Sequence, residues 1–405
     1  MAMALAAAQP CVVGAYSGPG ERFATITARP TPGEWRWWRD DGRFGIAGQG
    51  GVTCAADALI VDGARWPRIA LKQTDVRFKG SDGVELAGRL IEPPIRPNTL
   101  PPLVVTVHGS EDWGWIDRAQ HPYILAAQGI AVFLYDKRGT GASKGKYNQN
   151  FRLLSSDAVA AARTAKRLAA GRYSRFGMVG SSQGGWVAPA AANAAGAQFV
   201  AVGYGLLLNP LEEDAEQVAT EMRDAGFGAD ALAGARAVTD ATGAVMASHF
   251  RDGYARLAEV KARYGTQPWF ARIKGEFSGE VLAAGEAELR ASGAAKYDNL
   301  DIDWRYDAQA HLKAVKAPQL WIVAGADREA PPALTIARLE ALRRAGKRIR
   351  VVRFPDTDHG MVEFAQAPDG TRAPTRVTDG YFRMVGDWIK GRWAPPYGRA
   401  EVLAE

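Results

Sequence analysis

Three short segments of the chain hold the residues whose types and spacing could do chemistry. The first, Gly180-Ser181-Ser182-Gln183-Gly184-Gly185, follows an apolar run at Arg175 to Val179 and precedes a helical pattern at Trp186 to Ala195. A sharp strand-to-helix turn at that point forces strained backbone at Ser182 and requires small neighbours, because a larger side chain at 180 or 184 collides with the adjoining chain. The hydroxyl is thereby lifted above a sheet. The N–H of Gln183, at the start of the helix, faces the place where an oxyanion would form.

A serine hydroxyl needs a base, and the sequence holds five histidines: His108, His121, His249, His311 and His359. His359 stands in Asp356-Thr357-Asp358-His359-Gly360-Met361, just after the apolar run Arg350 to Phe354, where a loop brings an imidazole over the C-terminal edge of a sheet. It is the expected general base. His249 and His311 are expected to be satisfied surface residues, and His121, before Pro122, to cap or pack. The third segment, Ala324-Gly325-Ala326-Asp327-Arg328-Glu329, follows the run Leu320 to Val323. Asp327 is the expected acid, since a carboxylate there fixes the imidazole tautomer and stabilises the imidazolium formed during attack. Asp356 and Asp358 share the histidine's loop and read as turn formers; Glu329 is the fallback acid.

Positioning these groups requires strands that end at one rim. From about Leu103, near-continuous apolar runs alternate with helical stretches, the pattern of βαβ units in a mostly parallel sheet buried on both faces. The runs are Leu103 to Val107, Ile130 to Tyr135, Phe176 to Val179, Phe199 to Val202, Leu320 to Val323 and Arg350 to Phe354. The rhythm stops between about Leu206 and Ala317, where an Ala-rich helical section reads as a cap over the site. Ahead of the core, Glu34 to Arg39 and Phe44 to Ile46 flank a tight turn at 40–43, and Thr74 to Lys79 pairs with Val84 to Ile91 across Ser81-Asp82-Gly83. The expected organisation is an N-terminal β-rich region at 1–78, core at 79–205, helical cap at 206–317 and core again at 318–405. The N-terminal tryptophans read as a surface packed on the core or as a platform for a sugar or polymer.

The order Ser182, Asp327, His359 is that of α/β-hydrolases. From about 72 to 392 the sequence resembles the prolyl-oligopeptidase-like and dienelactone-hydrolase-like serine hydrolases of that superfamily. The likeness rests on Val107-His108-Gly109-Ser110, on Tyr135-Asp136-Lys137-Arg138-Gly139-Thr140-Gly141-Ala142-Ser143, on the turn at Ser182, on the Asp327 loop and on Asp358-His359-Gly360. It implies an α/β fold: a mostly parallel α/β-hydrolase sheet with helices on both faces, a helical cap insertion and a small N-terminal β region. It further implies that the backbone N–H of Ser110 pairs with that of Gln183 as an oxyanion hole, that His108 shapes its loop, and that the Asp136 to Ser143 turn is structural.

Where many lipases carry further glycines, this chain has Glu111-Asp112-Trp113-Gly114-Trp115, which should narrow the pocket. Trp113, Trp115 and the cap aromatics Tyr264, Trp269, Phe270 and Phe277 either clamp an apolar acyl or leaving group or pack in cores. Glu111 and Asp112 either meet a substrate ammonium or are solvated loop acids.

Composition narrows the class. Hydrophobic content of 47% and charged content of 23% are those of a globular protein. A net charge of +6 without a dense Lys/Arg run gives no footprint for nucleic acid. No stretch approaches about 20 apolar residues, so no membrane span is expected. The two cysteines, Cys11 and Cys54, suit a structural disulfide, with unpaired thiols as the alternative. An Ala-rich stretch ending in Gln9 resembles the tail of a secretory signal, which points to a periplasmic or secreted protein, with the cytoplasm as alternative.

The leading expectation is a serine hydrolase that cleaves a carboxylic ester or small amide through an acyl-enzyme, with no metal or organic cofactor and a small-molecule or short-peptide substrate. A peptidase or aminopeptidase uses the same apparatus. The ester is favoured because the N-terminal segment is too short for the β-propeller that gates long-chain prolyl oligopeptidases. A non-catalytic binding protein and an acyltransferase are the remaining alternatives; the oligomeric state is left open.

Overall fold

The computed structural model describes residues 11–95 and 98–404; the signal-like stretch at 1–9 lies outside them. The apolar runs of the sequence become the middle of a nine-stranded sheet. Its strands are β1 (Lys72–Lys79), β2 (Glu85–Glu92), β3 (Leu103–Val107), β4 (Ala131–Tyr135), β5 (Phe176–Ser181), β6 (Val200–Gly203), β7 (Gln319–Ala324), β8 (Ile349–Phe354) and β9 (Glu401–Ala404). They lie in the order β9-β8-β7-β6-β5-β3-β4-β2-β1. The six central strands are parallel, and β1, β2 and β9 are joined at the edges through antiparallel pairings. The hairpin β1–β2 completes this sheet: among the described residues β1 pairs only with β2, and β2 in turn pairs with β4, so the strand at 72–79, expected within the N-terminal region, joins the sheet of the core.

Helices cover both faces, as strands without a polar side require. α1 (Gln120–Ala127) lies on one face, and α2 (Phe151–Leu168) and α3 (Gly184–Ala195) lie on the other. The side chains between sheet and helices, Trp321, Phe133, Phe199 and Phe354 among them, are fully buried, each contributing roughly 1.5–3 kcal/mol of transfer free energy. Local signals fix the helix starts: Asn150 caps α2 by accepting from Leu153 N–H at 3.0 Å.

Between β6 and β7 the chain leaves the sheet for a run of helices that includes α4 (Pro210–Asp224), α5 (Ala229–Ala247) and α6 (Tyr254–Tyr264). α4 opens with a reciprocal capping box, Asn209 with Glu212, and Pro210 in the first turn. This section has its own apolar core, in which Val218, Val238, Met246, Phe250, Trp269 and Phe277 pack together. Among the described residues no helix is long and apolar enough to cross a membrane.

The first residues form two small antiparallel sheets, one of four strands within 14–46 and one of three within 52–67. They share a core of Tyr16, Ile26, Trp37, Leu59 and Trp66, and a disulfide joins Cys11 to Cys54 across 43 residues. Trp37 and Trp38 are buried, so two of the aromatics of the Glu34 to Arg39 strand serve packing. The turn of that hairpin docks elsewhere. Gly42 has φ +82° and its carbonyl accepts from Val377 N–H at 2.9 Å, while a side chain at 42 would lie 1.8 Å from the Val377 carbonyl oxygen. Val377 ends a small sheet, Thr357–Asp358, Val362–Gln366 and Arg372–Val377, that follows β8.

Closing a 43-residue loop by a covalent bond restricts the unfolded chain by up to about 4 kcal/mol. Reduction, or the double substitution Cys11→Ser/Cys54→Ser, is expected to lower the melting temperature by several degrees in calorimetry; an unchanged melting point would show that the bridge contributes nothing.

Candidate active site

Strand β5 ends and α3 begins around Ser182, which has φ +51°. The turn is tight on both sides: a side chain on Gly180 would lie 2.2 Å from the Gly184 carbonyl oxygen, and one on Gly184 would lie 2.7 Å from that of Val107. No residue but glycine fits at either place. The turn is pinned by Ser182 N–H donating to Gly203 O at 3.1 Å and Gly185 N–H donating to Ser182 O at 2.7 Å. This geometry raises the Ser182 hydroxyl off the sheet rim.

His359 arrives from the loop after β8. Its Nε2 lies 3.0 Å from Ser182 Oγ and its Nδ1 2.9 Å from Asp327 Oδ2. Asp327, in the loop after β7, is 3% exposed, and its other oxygen accepts from the N–H groups of Glu329 at 3.0 Å and Ala330 at 2.7 Å. The three side chains therefore form one hydrogen-bonded line across 177 residues of sequence. Burial disfavours the imidazolium, but the Asp327 hydrogen bond, with the charges of Asp327, Glu329 and Asp358, outweighs it and raises the His359 pKa above the ordinary imidazole value. Glu329 is not a substitute for Asp327. Its Oε1 lies 3.5 Å from Nε2, the ring nitrogen that faces the serine.

Asp358 holds the two loops together. One oxygen accepts from Arg328 N–H at 3.1 Å and His359 N–H at 2.9 Å, and the other from Arg372, whose same nitrogen also reaches Ala326 O at 2.6 Å. Asp356 pairs with Arg399 on the surface. Tyr204 sets its ring edge-on to His359 with centroids 5.0 Å apart. Neither Tyr204 nor Arg372 carries a sequence pattern that would single it out.

The Ser110 loop lies across from Ser182. A side chain on Gly109 would strike the Glu111 carboxylate at 2.6 Å and touch Ser182 Cβ at 3.4 Å. Among the described residues the backbone N–H groups of Ser110 and Gln183 meet no acceptor in the fold. His108 bonds the Tyr135 carbonyl through Nε2 and stacks on Trp115 with centroids 4.1 Å apart. Glu111 accepts from the Trp115 indole N–H, and burial of its carboxyl is outweighed by His108 and the Lys137 ammonium, which hold its pKa at about 2.

The aromatic residues considered for the pocket pack in hydrophobic clusters. Trp269 packs beside Tyr264 and Gly234 in the core of the helical insertion, and Phe270 adjoins it with ring centroids 6.1 Å apart. Trp113 packs against the cluster that contains Trp115, with Arg118 over its ring at 4.6 Å. These side chains are drawn into local cores, one of the two readings the sequence left open for them, and the Glu111 carboxylate lies against the Gly109 backbone of the loop facing Ser182. The other histidines behave as expected. His121 is packed edge-on to Phe382, and burial lowers its pKa to about 4; His249 pairs with Asp298 and His311 stacks on Tyr306.

A cavity of about 340 Å³ opens beside the histidine, lined by Arg328, Glu329, His359, Phe364, Arg372 and Pro374. One carboxylate of the helical insertion, Glu276, interacts by charge with the same histidine, and Glu213 with the acids around it. Burial, with the charges of Glu276 and Glu329, raises the Glu213 pKa well above the carboxylate range. Burial and Glu329 likewise raise that of Glu276, which accepts from Gln217 at 3.1 Å. Among the described residues no cluster of His, Cys, Asp and Glu is arranged to hold a metal ion.

A family model described as the alpha/beta hydrolase family matches residues 104–373. Acylamino-acid-releasing enzyme 2 of Oryza sativa subsp. japonica is 34% identical over 79 residues, which span 20% of this chain and only 10% of that protein. Among solved structures, an esterase of Pyrococcus furiosus aligns at 15% identity and TM-score 0.43, over 72% of this chain and 85% of its own. The acylaminoacyl peptidase of Pyrococcus horikoshii aligns at 15% identity and TM-score 0.43, over 83% of this chain and 45% of its own. Brefeldin A esterase, a bacterial protein, aligns at 20% identity and TM-score 0.43, over 72% and 70%. None of these likenesses assigns a substrate to this chain.

The charge balance at His359 is directly measurable. Its imidazole should titrate above the usual histidine value in NMR, and Glu329→Gln should move that titration to lower pH by removing one of the charges that favour the cation. No movement in the variant would exclude Glu329 from the balance.

Proposed function

The chain belongs to the alpha/beta hydrolase family, and on that premise we propose that it is a serine hydrolase that cleaves a carboxylic ester through an acyl-enzyme on Ser182. The observation that carries this reading is the continuous line Asp327 Oδ2, His359 Nδ1, His359 Nε2, Ser182 Oγ, with steps of 2.9 and 3.0 Å. His359 takes the hydroxyl proton as Oγ bonds to the carbonyl carbon, and the carbonyl π pair moves onto oxygen. The N–H groups of Ser110 and Gln183 receive that oxyanion. As the C–O bond to the leaving group breaks, His359 returns the proton to it; water then repeats the sequence to release the acid.

The base works only when neutral. With its pKa raised, kcat/KM for ester cleavage should rise with pH through a limb that lies above the ordinary imidazole value, and activity is lost as pH falls through it.

A second reading, cleavage of an aminoacyl amide, is favoured by one observation. Burial first, and then the charge of Glu329, raises the pKa of both Glu213 and Glu276, and Glu276 interacts with His359, so a cationic α-ammonium would offset part of that cost.

Export to the periplasm or beyond remains part of the proposal and draws support from the Cys11–Cys54 disulfide, which persists best in oxidising compartments.

Fluorophosphonate should label the wild type at Ser182 and leave a folded Ser182→Ala variant unlabelled and inactive; labelling elsewhere would move the nucleophile. Asp327→Asn should lower kcat by about four powers of ten while circular dichroism stays native. A panel of p-nitrophenyl esters beside aminoacyl p-nitroanilides separates the two substrate classes: faster turnover of short acyl esters supports the first reading, and preference for free-amine anilides replaces it with the second.

A further inference from the structure

Lys137 is only 2% exposed, yet it bears an amine that water would otherwise solvate. Leaving such a group without partners costs several kcal/mol, so its contacts are informative. Its Nζ donates to the Gly109 carbonyl at 2.7 Å and lies over the ring of Tyr147, 4.9 Å from the centroid. The Tyr147 hydroxyl in turn donates to the next carbonyl along, that of Ser110. Two successive carbonyls of the loop facing Ser182 are therefore gripped from one side by one stacked pair.

The turn that presents this pair is built for it. Gly139 has φ +73°, and a side chain there would lie 1.9 Å from Tyr147 N, so only glycine lets the segment after Lys137 fold back against 146–147. Asp136 closes the turn by accepting from Ala142 N–H at 2.8 Å and ties it to the same loop by accepting from Ile116 N–H at 3.0 Å.

The consequence follows from peptide geometry. In a trans peptide the C=O and the N–H point in opposite directions within one rigid plane. The Gly109 carbonyl and the Ser110 N–H belong to the same plane, so a carbonyl drawn toward Lys137 commits the N–H to the other side. A donor held to that carbonyl also polarises the unit and strengthens the N–H as a donor.

We propose that Lys137 and Tyr147 are positioning residues of the oxyanion hole, aiming the Ser110 N–H at the oxygen that becomes charged when Ser182 attacks. Neither touches the reacting atoms. The inference rests on the acyl-enzyme reading above. The negative groups around Lys137 are Glu111 and Asp112; burial nevertheless lowers its pKa, to about 8.

The test compares the full-length wild type with Lys137→Met and Tyr147→Phe, using the p-nitrophenyl ester turned over fastest and an alkyl trifluoromethyl ketone. That ketone accepts a serine oxygen at its carbonyl carbon and leaves an oxyanion in the hole. Complete loss of one oxyanion donor lowers kcat by about 10²–10³-fold. Mis-aiming one should therefore lower kcat by about 10- to 100-fold in Lys137→Met and about 3- to 10-fold in Tyr147→Phe, with KM within about twofold. The ketone's inhibition constant should weaken by the same factors in each variant. Folded variants with unchanged kcat and unchanged ketone affinity, or with KM alone altered, would overturn the inference and leave only a packing role. If Lys137→Met does not fold, Tyr147→Phe decides by the same two readouts. A wild type that forms no ketone adduct would instead sink the acyl-enzyme reading, and this inference with it.

Discussion

Everything at this site hangs on how closely one strand approaches the helix that follows it. Gly180 and Gly184 bring β5 and α3 within contact of each other's backbone, and Ser182 is left between them with a positive φ. A strained residue of this kind persists only when its surroundings over-determine it. Here they do, because β5 is paired on both sides by parallel strands and α3 is packed on the sheet. The sheet holds the hydroxyl at a fixed height, and the loops after β7 and β8 then need only reach that height from the same rim.

The reach is secured by charge. Asp358 and Arg372 join the acid loop to the histidine loop, so Asp327 and His359 are placed as one body and not as two independent tips. Opposite them, His108, Trp115 and Glu111 form a packed block beneath the Ser110 loop, and Lys137 and Tyr147 hold that loop's carbonyls. The reacting groups thus stand between two rigid supports. On the proposed acyl-enzyme reading, such preorganisation is worth more than any single contact, because the donors need no rearrangement when charge develops.

Sequence revealed the parts whose physics is local. A turn too tight for any side chain at 180 or 184, apolar strands of four to six residues and an acid and a base each just past a strand end are readable because each depends on its immediate neighbours. Five histidines, three with dull surroundings and one read as shaping its own loop, made His359 legible by contrast. The pocket was not legible in this way. Trp269 and Phe270 are as apolar in a core as in a binding wall, and which one they occupy depends on packing among helices far apart in sequence. The edge hairpin β1–β2 was read as a hairpin but its first strand was assigned to the N-terminal region, since alternation within two strands does not say which third strand they join. Arg372, Tyr204 and Glu213 escaped notice for a related reason. They come from a late hairpin, a strand end and a helix start, and only the tertiary fold brings the first two to the histidine and the third to the acids beside it.

The hairpin turn at Gly42 gives the N-terminal sheets a part in this arrangement. Its backbone is hydrogen-bonded to Val377, at the end of the strand that begins with Arg372, and Thr378 beside it bonds back to Met361, two residues past His359. Mechanical continuity therefore runs from the cystine-tied lobe, through main-chain bonds alone, to the loop that carries the imidazole. An engineer trimming that lobe as a dispensable appendage would be removing a strut from beneath the base.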